Sequence, residues 1–371
     1  MIENKGDRIF FLDHLRTLMI FFVIMYHSGG VYESSGFWAF FWLVDDPVTN
    51  DLVGIFNIII DIFVMATIFF VSGFFAPLSL KKKSSGQFLL SKTKRLILPW
   101  LVASFTLIPL YKFIFLYSRN LPQEHWTTYF SFSNGIFSLN WLWFLPVLFL
   151  FNLLYVLLAK LNIRMPNLSF KNAAISVLMI GFLYSFSFDY FGLRGWTKSP
   201  FIDFQNERLL IYFMFFMLGA LAFERKIFEQ PVNKKMYNII SVANWLPITT
   251  YIIFLLIPFI SPGTYLVSPI FHKAVIWLNM HLSLFCLVYI LVETYRRYFD
   301  KPGALIKELN LNSYSVYIIH VIVLGGIGIL LLDAPLPSLA KYIVLTFSTF
   351  IVSNALVSAY RRIVRSKQTT A

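Results

Sequence analysis

The chain has 371 residues, of which 58% are apolar, 19% aromatic and only 13% charged, with a formal net charge of +13. A soluble domain carries about twice that charged share, and a water-soluble fold of this length has nowhere to hide so much apolar surface, whereas lipid solvates it. The basic excess falls in short runs between apolar stretches, so it marks membrane topology and argues against nucleic acid as a partner.

A membrane-spanning helix takes about 20 mostly apolar residues. Ten stretches qualify: Ile9 to Tyr32, Asp51 to Ala76, Leu96 to Ser118, Trp141 to Ala159, Asn172 to Tyr190, Arg208 to Phe223, Tyr237 to Ile260, Pro269 to Tyr295, Ser313 to Leu332 and Ser338 to Tyr360. No small-residue cleavage site follows the first, which therefore reads as a retained helix and not a signal peptide. Basic residues stay cytoplasmic. They cluster at Lys5 and Arg8, at Lys81, Lys82, Lys83, Lys92, Lys94 and Arg95, and at Lys160, Arg164 and Lys171. Further clusters are Arg225, Lys226, Lys234 and Lys235, then Arg296, Arg297, Lys301 and Lys307, then Arg361, Arg362, Arg365 and Lys367. The opposite connections hold the sparser Arg119, Arg194, Lys198, Arg208, Lys273 and Lys341. This alternation predicts an all-α, polytopic transmembrane bundle of about ten helices with both termini cytoplasmic. It reads as a single integral-membrane unit over residues 1–371. The longest connections, near Arg119 to Asn140 and Phe191 to Glu207, are too short to fold as catalytic domains, so any chemistry sits among the helices. The one cysteine, Cys286, allows no internal disulfide.

Ionisable groups at membrane depth are costly and are functional candidates by default. Arg16 and His27 stand eleven residues apart in the first stretch. At 100° per residue that is about 20° past three full turns, so they share one helix face, about 16 Å apart along the axis. Arg16 lies toward the cytoplasm and His27 toward the outer leaflet. Plainer accounts exist: Arg16 snorkels to headgroups or pairs with Asp13 one turn earlier, and His27 is a hydrogen-bonded structural histidine. Asp61, near the middle of the second helix, pairs with Arg16 or with another helix, or works in a site. His320 is placed a turn or two into the ninth helix from the cytoplasmic side. His281, beside Asn279, reads as a helix-to-helix hydrogen-bonding residue, as does His320 on the plainer account. Lys112 snorkels near the outer end of the third helix, and His14, His125 and His272 sit at interfaces or in loops. Metal-ligand spacings, phosphate-binding loops and the Gly-x-Ser-x-Gly elbow are absent, which speaks against zinc proteases, ATPases and ordinary serine hydrolases. The basic run Lys92 to Arg95 leads into the third helix at the cytoplasmic mouth where Arg16 points, and a polyanion entering there meets both.

At these residues the sequence resembles the membrane-bound acyltransferase-3 family, and more loosely its glucan-succinylating and polysaccharide-acylating branch. FLDHLRTLMIFFVIMYHSGGVY, from Phe11 to Tyr32, is similar to the family's opening helix, with its Leu-Asp-x-Leu-Arg start and a His eleven residues after the Arg. FFVSGFF, Phe69 to Phe75, resembles its Phe-Ser-Gly-Phe segment through Ser72, Gly73 and Phe74. KRLILP, Lys94 to Pro99, resembles its basic stretch running into a proline. LWFLPVLFLF from Leu142 and YSVYIIH, Tyr314 to His320, resemble a middle helix start and a late helix ending in His. The family often has two arginines three apart before its third helix; here Lys92 stands three before Arg95, so Arg95 is carried over and Lys92 only by position. Where some members have a Glu in the middle helix and a His before Leu-Trp-Phe-Leu, this chain has an apolar run near Leu148 and Trp141.

The resemblance implies transfer of an acyl group, often acetyl or succinyl, from cytoplasmic acyl-CoA to a sugar hydroxyl reached from the outer face. The enzyme would be multi-pass in the bacterial cytoplasmic membrane, with no permanently bound cofactor or metal. The implied partners are acyl-CoA, a carbohydrate acceptor and the lipid bilayer. CoA's phosphates suit a basic mouth of Arg16, Arg95 and Lys92. A neutral His27 suits the role of general base. Ser72 is a positional candidate for oxyanion stabilisation, and Asp13, Asp61 and His320 are further site candidates. Two rival readings remain at this level: a transporter or exporter of a polar solute or glycan, using the Arg, His and Asp face for proton coupling, and a non-catalytic partner in envelope-glycan assembly.

Overall fold

The computed structural model describes residues 9–34, 43–130, 139–161 and 168–369. Lys5, Arg8 and Arg164 lie outside the described residues. Twelve helices follow in order: α1 Phe10–Tyr32, α2 Asp51–Lys81, α3 Ser85–Lys92, α4 Leu98–Ser118, α5 Phe144–Lys160, α6 Phe170–Tyr190, α7 Leu209–Glu224, α8 Lys234–Ala243, α9 Trp245–Ile260, α10 Pro269–Tyr298, α11 Ala304–Leu331 and α12 Ser338–Thr369. Strands β1 Trp196–Thr197 and β2 Phe204–Gln205 form a small antiparallel hairpin between α6 and α7. Among the described residues, nine helical stretches are long and apolar enough to cross a membrane. The predicted sixth span, α7, is an apolar helix of only 16 residues, about 24 Å at 1.5 Å per residue. It lies inside the bundle against α2, so its shortness exposes little backbone to lipid. The chain is a polytopic all-α membrane protein.

Glycine sets the α2–α7 contact. A Cβ on Gly73 would fall 1.9 Å from the Phe216 carbonyl oxygen, and one on Gly219 would fall 2.0 Å from the Phe70 carbonyl oxygen. The two backbones therefore touch at a pair of facing glycines, as small residues permit in membranes. This accounts for Gly73 in the FFVSGFF segment as a packing residue.

Three helix boundaries depart from the sequence expectation. The basic run before α4 is not a loop: α3 passes through one wide π turn, Thr93–Ile97, directly into α4. The seventh span is broken at Asn244 into α8 and α9. Most consequential, α11 begins at Ala304, nine residues before the predicted Ser313, because Lys307 and Glu308 are helical. His320 therefore lies more than four turns into α11, not one or two. Charged residues read as loop when hydropathy decides, yet a helix end outside the hydrocarbon carries them at no cost.

The connections expected on the cytoplasmic side gather at one end. The Phe11 amide donates to Asp300 Oδ1 (3.1 Å), and a cavity of about 390 Å³ there is lined by Ile9, Lys81, Glu224, Lys226 and Asp300. Arg361 of α12 pairs with Glu308 of α11 at the same end (3.2 Å). The opposite end is tied by different pairs: Lys273 to Asp189 (3.1 Å) and the fully buried Lys341 to Asp46 (2.8 Å). By the charge rule the first end is the inner one.

Candidate functional site

α1 turns the face shared by Arg16 and His27 against α11. At the inner end, Arg16 Nη2 lies 3.2 Å from Asp13 Oδ1 and 3.5 Å from the Asn310 carbonyl oxygen, while Thr17 Oγ1 donates to Asn310 Oδ1 (2.6 Å). Further along, His27 Nδ1 is 2.8 Å from His320 Nε2, with the two rings parallel. Both predicted residues of α1 thus face one neighbour, and His320, 293 positions away in sequence, completes the pair.

The hydrogen bonds settle the tautomers of the neutral pair. His320 Nδ1 sits 2.6 Å from the Tyr317 carbonyl oxygen, which can only accept, so that nitrogen carries the proton. His320 Nε2 is then the lone-pair atom, and His27 Nδ1 donates to it. His27 Nε2 is consequently the deprotonated nitrogen of its ring. His320 thus fixes the ring orientation of His27.

His27 opens on a cavity of about 80 Å³ walled by Tyr26, Asp61, Trp141, Trp143, Trp196, Gln205, Tyr212 and Tyr317, among others. Asp61 Oδ2 takes Arg208 Nη2 at 2.6 Å, and Arg208 Nη1 also donates to the Asp61 carbonyl oxygen (2.8 Å). Of the expected partners for Asp61, the structure selects another element and not Arg16. Arg208, counted by the sequence among the outer-loop bases, is a buried cation at the entry to α7. The rule that ionisable groups at membrane depth need partners would have paired it with Asp61.

Trp141 and Tyr317 bracket the cavity from α11's side. Trp141 Nε1 donates to the Ile318 carbonyl (2.9 Å), and the Tyr317 hydroxyl donates to the Trp141 carbonyl. Just outside the end of α1, Glu33 is buried and accepts from Asn57 Nδ2 (3.0 Å), which also donates to the Tyr26 carbonyl (3.2 Å). Burial pushes the Glu33 carboxyl up to about 7; the Asn57 hydrogen bond pulls down and the Asp61 charge adds to the rise. Sequence named Trp141 only as standing where some family members have a His, and it singled out neither Glu33 nor Trp196, since an aromatic in so aromatic a chain carries no signal by itself.

The remaining candidates separate from this cavity. Arg95 is exposed in the π turn, and its carbonyl accepts from the Tyr314 hydroxyl. Lys92 is half-buried with its ammonium 5.1 Å from the Phe88 ring centroid. Because Asn310 and Tyr314 are one helical turn apart, α11 brings Arg16 and the Arg95 backbone to one level. Ser72 does not meet His27. It is seven residues past Met65, the last α2 residue on the cavity wall, or about 10 Å further toward the inner end. His281 behaves as expected of a bundle histidine, bonding the Trp277 carbonyl (2.8 Å) and Ser185 Oγ (3.3 Å). His14 Nδ1 contacts the Phe299 carbonyl at the inner end.

Residues 9–357 match the acyltransferase domain that defines the acyltransferase-3 family. The chain belongs to that family. It is also similar to the Glucans biosynthesis protein C of Salmonella paratyphi B and of Salmonella dublin, each 25% identical over 238 residues. The match covers 60% of this chain and 60% of the length of those curated relatives. No solved structure matches the chain.

Proposed function

We propose that the protein transfers an acyl group, acetyl or succinyl, from cytoplasmic acyl-CoA to a carbohydrate hydroxyl on the outer side of the membrane, with His27 as general base. The observation that carries this reading is the His27–His320 hydrogen bond: it leaves His27 Nε2 as the proton-accepting atom of a histidine on a cavity wall, inside a chain of the acyltransferase-3 family. The acceptor oxygen attacks the thioester carbonyl carbon as His27 Nε2 takes its proton. The C–S bond then breaks, and the departing CoA thiolate takes the proton, giving an ester and free CoA thiol. A positioned base of this kind contributes about 10²- to 10⁴-fold.

Arg16 and Arg95 serve the donor in this scheme. They lie at one level of the inner end, with Lys92 one turn from Arg95, and CoA's phosphates are attracted by such a group. Asp13 holds Arg16 in place and offsets part of its charge. The donor's thioester arm then has to span the α1 face, about 16 Å from Arg16 to His27, to bring its carbonyl carbon to the base.

The experiment is thioester consumption by the purified protein, followed as free CoA thiol with acetyl-CoA and succinyl-CoA, with and without glucose oligosaccharides. Acceptor-dependent thiol release accompanied by an ester on the sugar is expected. A folded, inserted protein that releases no thiol from either donor would exclude the enzyme reading in favour of transport or assembly.

A further inference from the structure

We propose that the outer hairpin of β1 and β2 is the acceptor subsite, a preformed aromatic and hydrogen-bond-accepting wall that takes a neutral sugar ring, with Trp196 and Gln205 as its specificity residues. The proposal rests on the reading that an acceptor hydroxyl reaches His27.

Trp196 and Gln205 are direct partners across the hairpin, so both side chains leave the same face of it. That face is the cavity face, since both line the space onto which His27 opens. Trp196 stands edge-on to Trp143 (centroids 5.3 Å apart), and Trp143 lies 6.1 Å from Tyr212. Three rings thus form one wall. Aromatic faces are electron-rich, and the C–H groups of a pyranose face are the complementary partner.

Two residues of this wall, Gln205 and Asp61, offer acceptor oxygens. The Gln205 amide gives one N–H to Glu207 Oε1 (2.8 Å), which fixes the group and presents its amide oxygen as an acceptor for a ligand. Asp61 gives one carboxylate oxygen to Arg208, and its other oxygen is an acceptor on the same wall. Because Asp61 neutralises Arg208, the wall offers no net positive charge to phosphates. Donor hydroxyls on a neutral, C–H-rich body satisfy it, and a polyanion does not. At about 80 Å³ the cavity holds only a few water volumes, so it admits a hydroxyl-bearing edge of the ring while the rest lies on Trp196.

The hairpin is held rigid from below, as a binding wall should be. Buried Glu207 accepts the Gly195 amide (2.9 Å) as well as Gln205. The Ser185 hydroxyl donates to the Glu207 carbonyl (2.7 Å) and the Tyr184 hydroxyl to the Asn206 carbonyl (2.5 Å). Buried Asp203 accepts the amides of Ser199 (2.9 Å) and Leu139 (2.8 Å), which ties the hairpin to the turn before Trp141.

The test uses the full chain in lipid nanodiscs, with a panel of soluble α- and β-linked glucose tetrasaccharides as probes. Calorimetry reads tetrasaccharide binding, and thiol release reads turnover. For Trp196→Ala we expect the acceptor KM and the tetrasaccharide Kd to rise about tenfold or more. The acetyl-CoA KM, which reads the inner mouth, should move far less than the acceptor KM. Trp196→Tyr should recover most of the loss. Gln205→Leu, which removes the acceptor oxygen from a half-buried strand and leaves Trp196 in place, guards against misfolding of the tryptophan variant and should raise the acceptor KM about fivefold. An unchanged acceptor KM in both Trp196→Ala and Gln205→Leu, or no tetrasaccharide bound by the wild type, overturns the subsite while leaving acyl transfer standing. Absent thioester turnover with tetrasaccharide binding that Trp196→Ala weakens overturns the catalytic reading and keeps the subsite.

Discussion

The inner mouth and the outer cavity are built on opposite principles. At the inner end the candidate groups are the cations Arg16, Lys92 and Arg95, exposed or half-exposed. In the cavity the key side chains are each held by a fixed partner, His27 by His320, Asp61 by Arg208 and Gln205 by Glu207, and beside it Glu33 is held by Asn57. The difference follows from solvent. Charges at a headgroup surface are solvated and can wait for a polyanion, whereas in a low-dielectric interior an uncommitted polar group is expensive. On the proposed function, one substrate is attracted by field at one end and the other is positioned by fixed geometry at the other.

Breaking the fixed side should have the larger effect. His27→Ala should lower transfer by roughly 10²- to 10⁴-fold, with expression, insertion and donor affinity nearly intact. His27→Gln should be equally inactive, because an amide bonds His320 but accepts no proton of catalytic use. Near-normal thiol release from His27→Gln would make the histidine a packing residue.

The Asp61–Arg208 pair tests how far geometry costs stability. Arg208→Ala leaves Asp61 without its cation and should destabilise the protein by about 3 kcal/mol, read as a lowered melting temperature in nanodiscs. Asp61→Asn, which keeps a hydrogen-bonding shape, should cost less; equal losses in the two would mean that the charge is not what holds α2 to the entry of α7.

Glu33 sharpens the comparison through pH. Its carboxyl is raised to about 7 in the fold, from about 4.5 when unfolded. The folded state therefore binds the proton more tightly. The resulting stability is fully present below the unfolded value and is lost as pH rises through 7, a total of up to about 3 kcal/mol. Melting temperature should fall between pH 5 and pH 8, and Glu33→Gln should flatten that slope. An unchanged slope in the variant would assign it to other groups.

The smallest effects belong to the mouth. Arg16→Ala and Arg95→Ala should each weaken acyl-CoA binding by severalfold, more at low salt than at high, and more than loss of any one of Lys81, Lys82 or Lys83. Equal effects from all five positions would reduce the mouth to a diffuse basic surface.

The sequence by itself determined the membrane class, the alternation of loop charge and the shared face of Arg16 and His27. Each depends on hydropathy or on the helical repeat, which act within one segment. It also read the Arg16–Asp13 pair and the bundle role of His281, both local arguments. What lay beyond it were relations between segments. His320 was misplaced toward the inner end because charged residues hid the first turns of α11, and only the packed helices bring it to His27. Arg208 looked like a loop base until α7 folded against α2, where Gly73 and Gly219 let the backbones touch. Trp196 and Gln205 gained meaning only when the hairpin set them over the cavity. Periodicity fixes which residues share a face; which face meets which is decided by close packing, and close packing is a property of the assembled bundle.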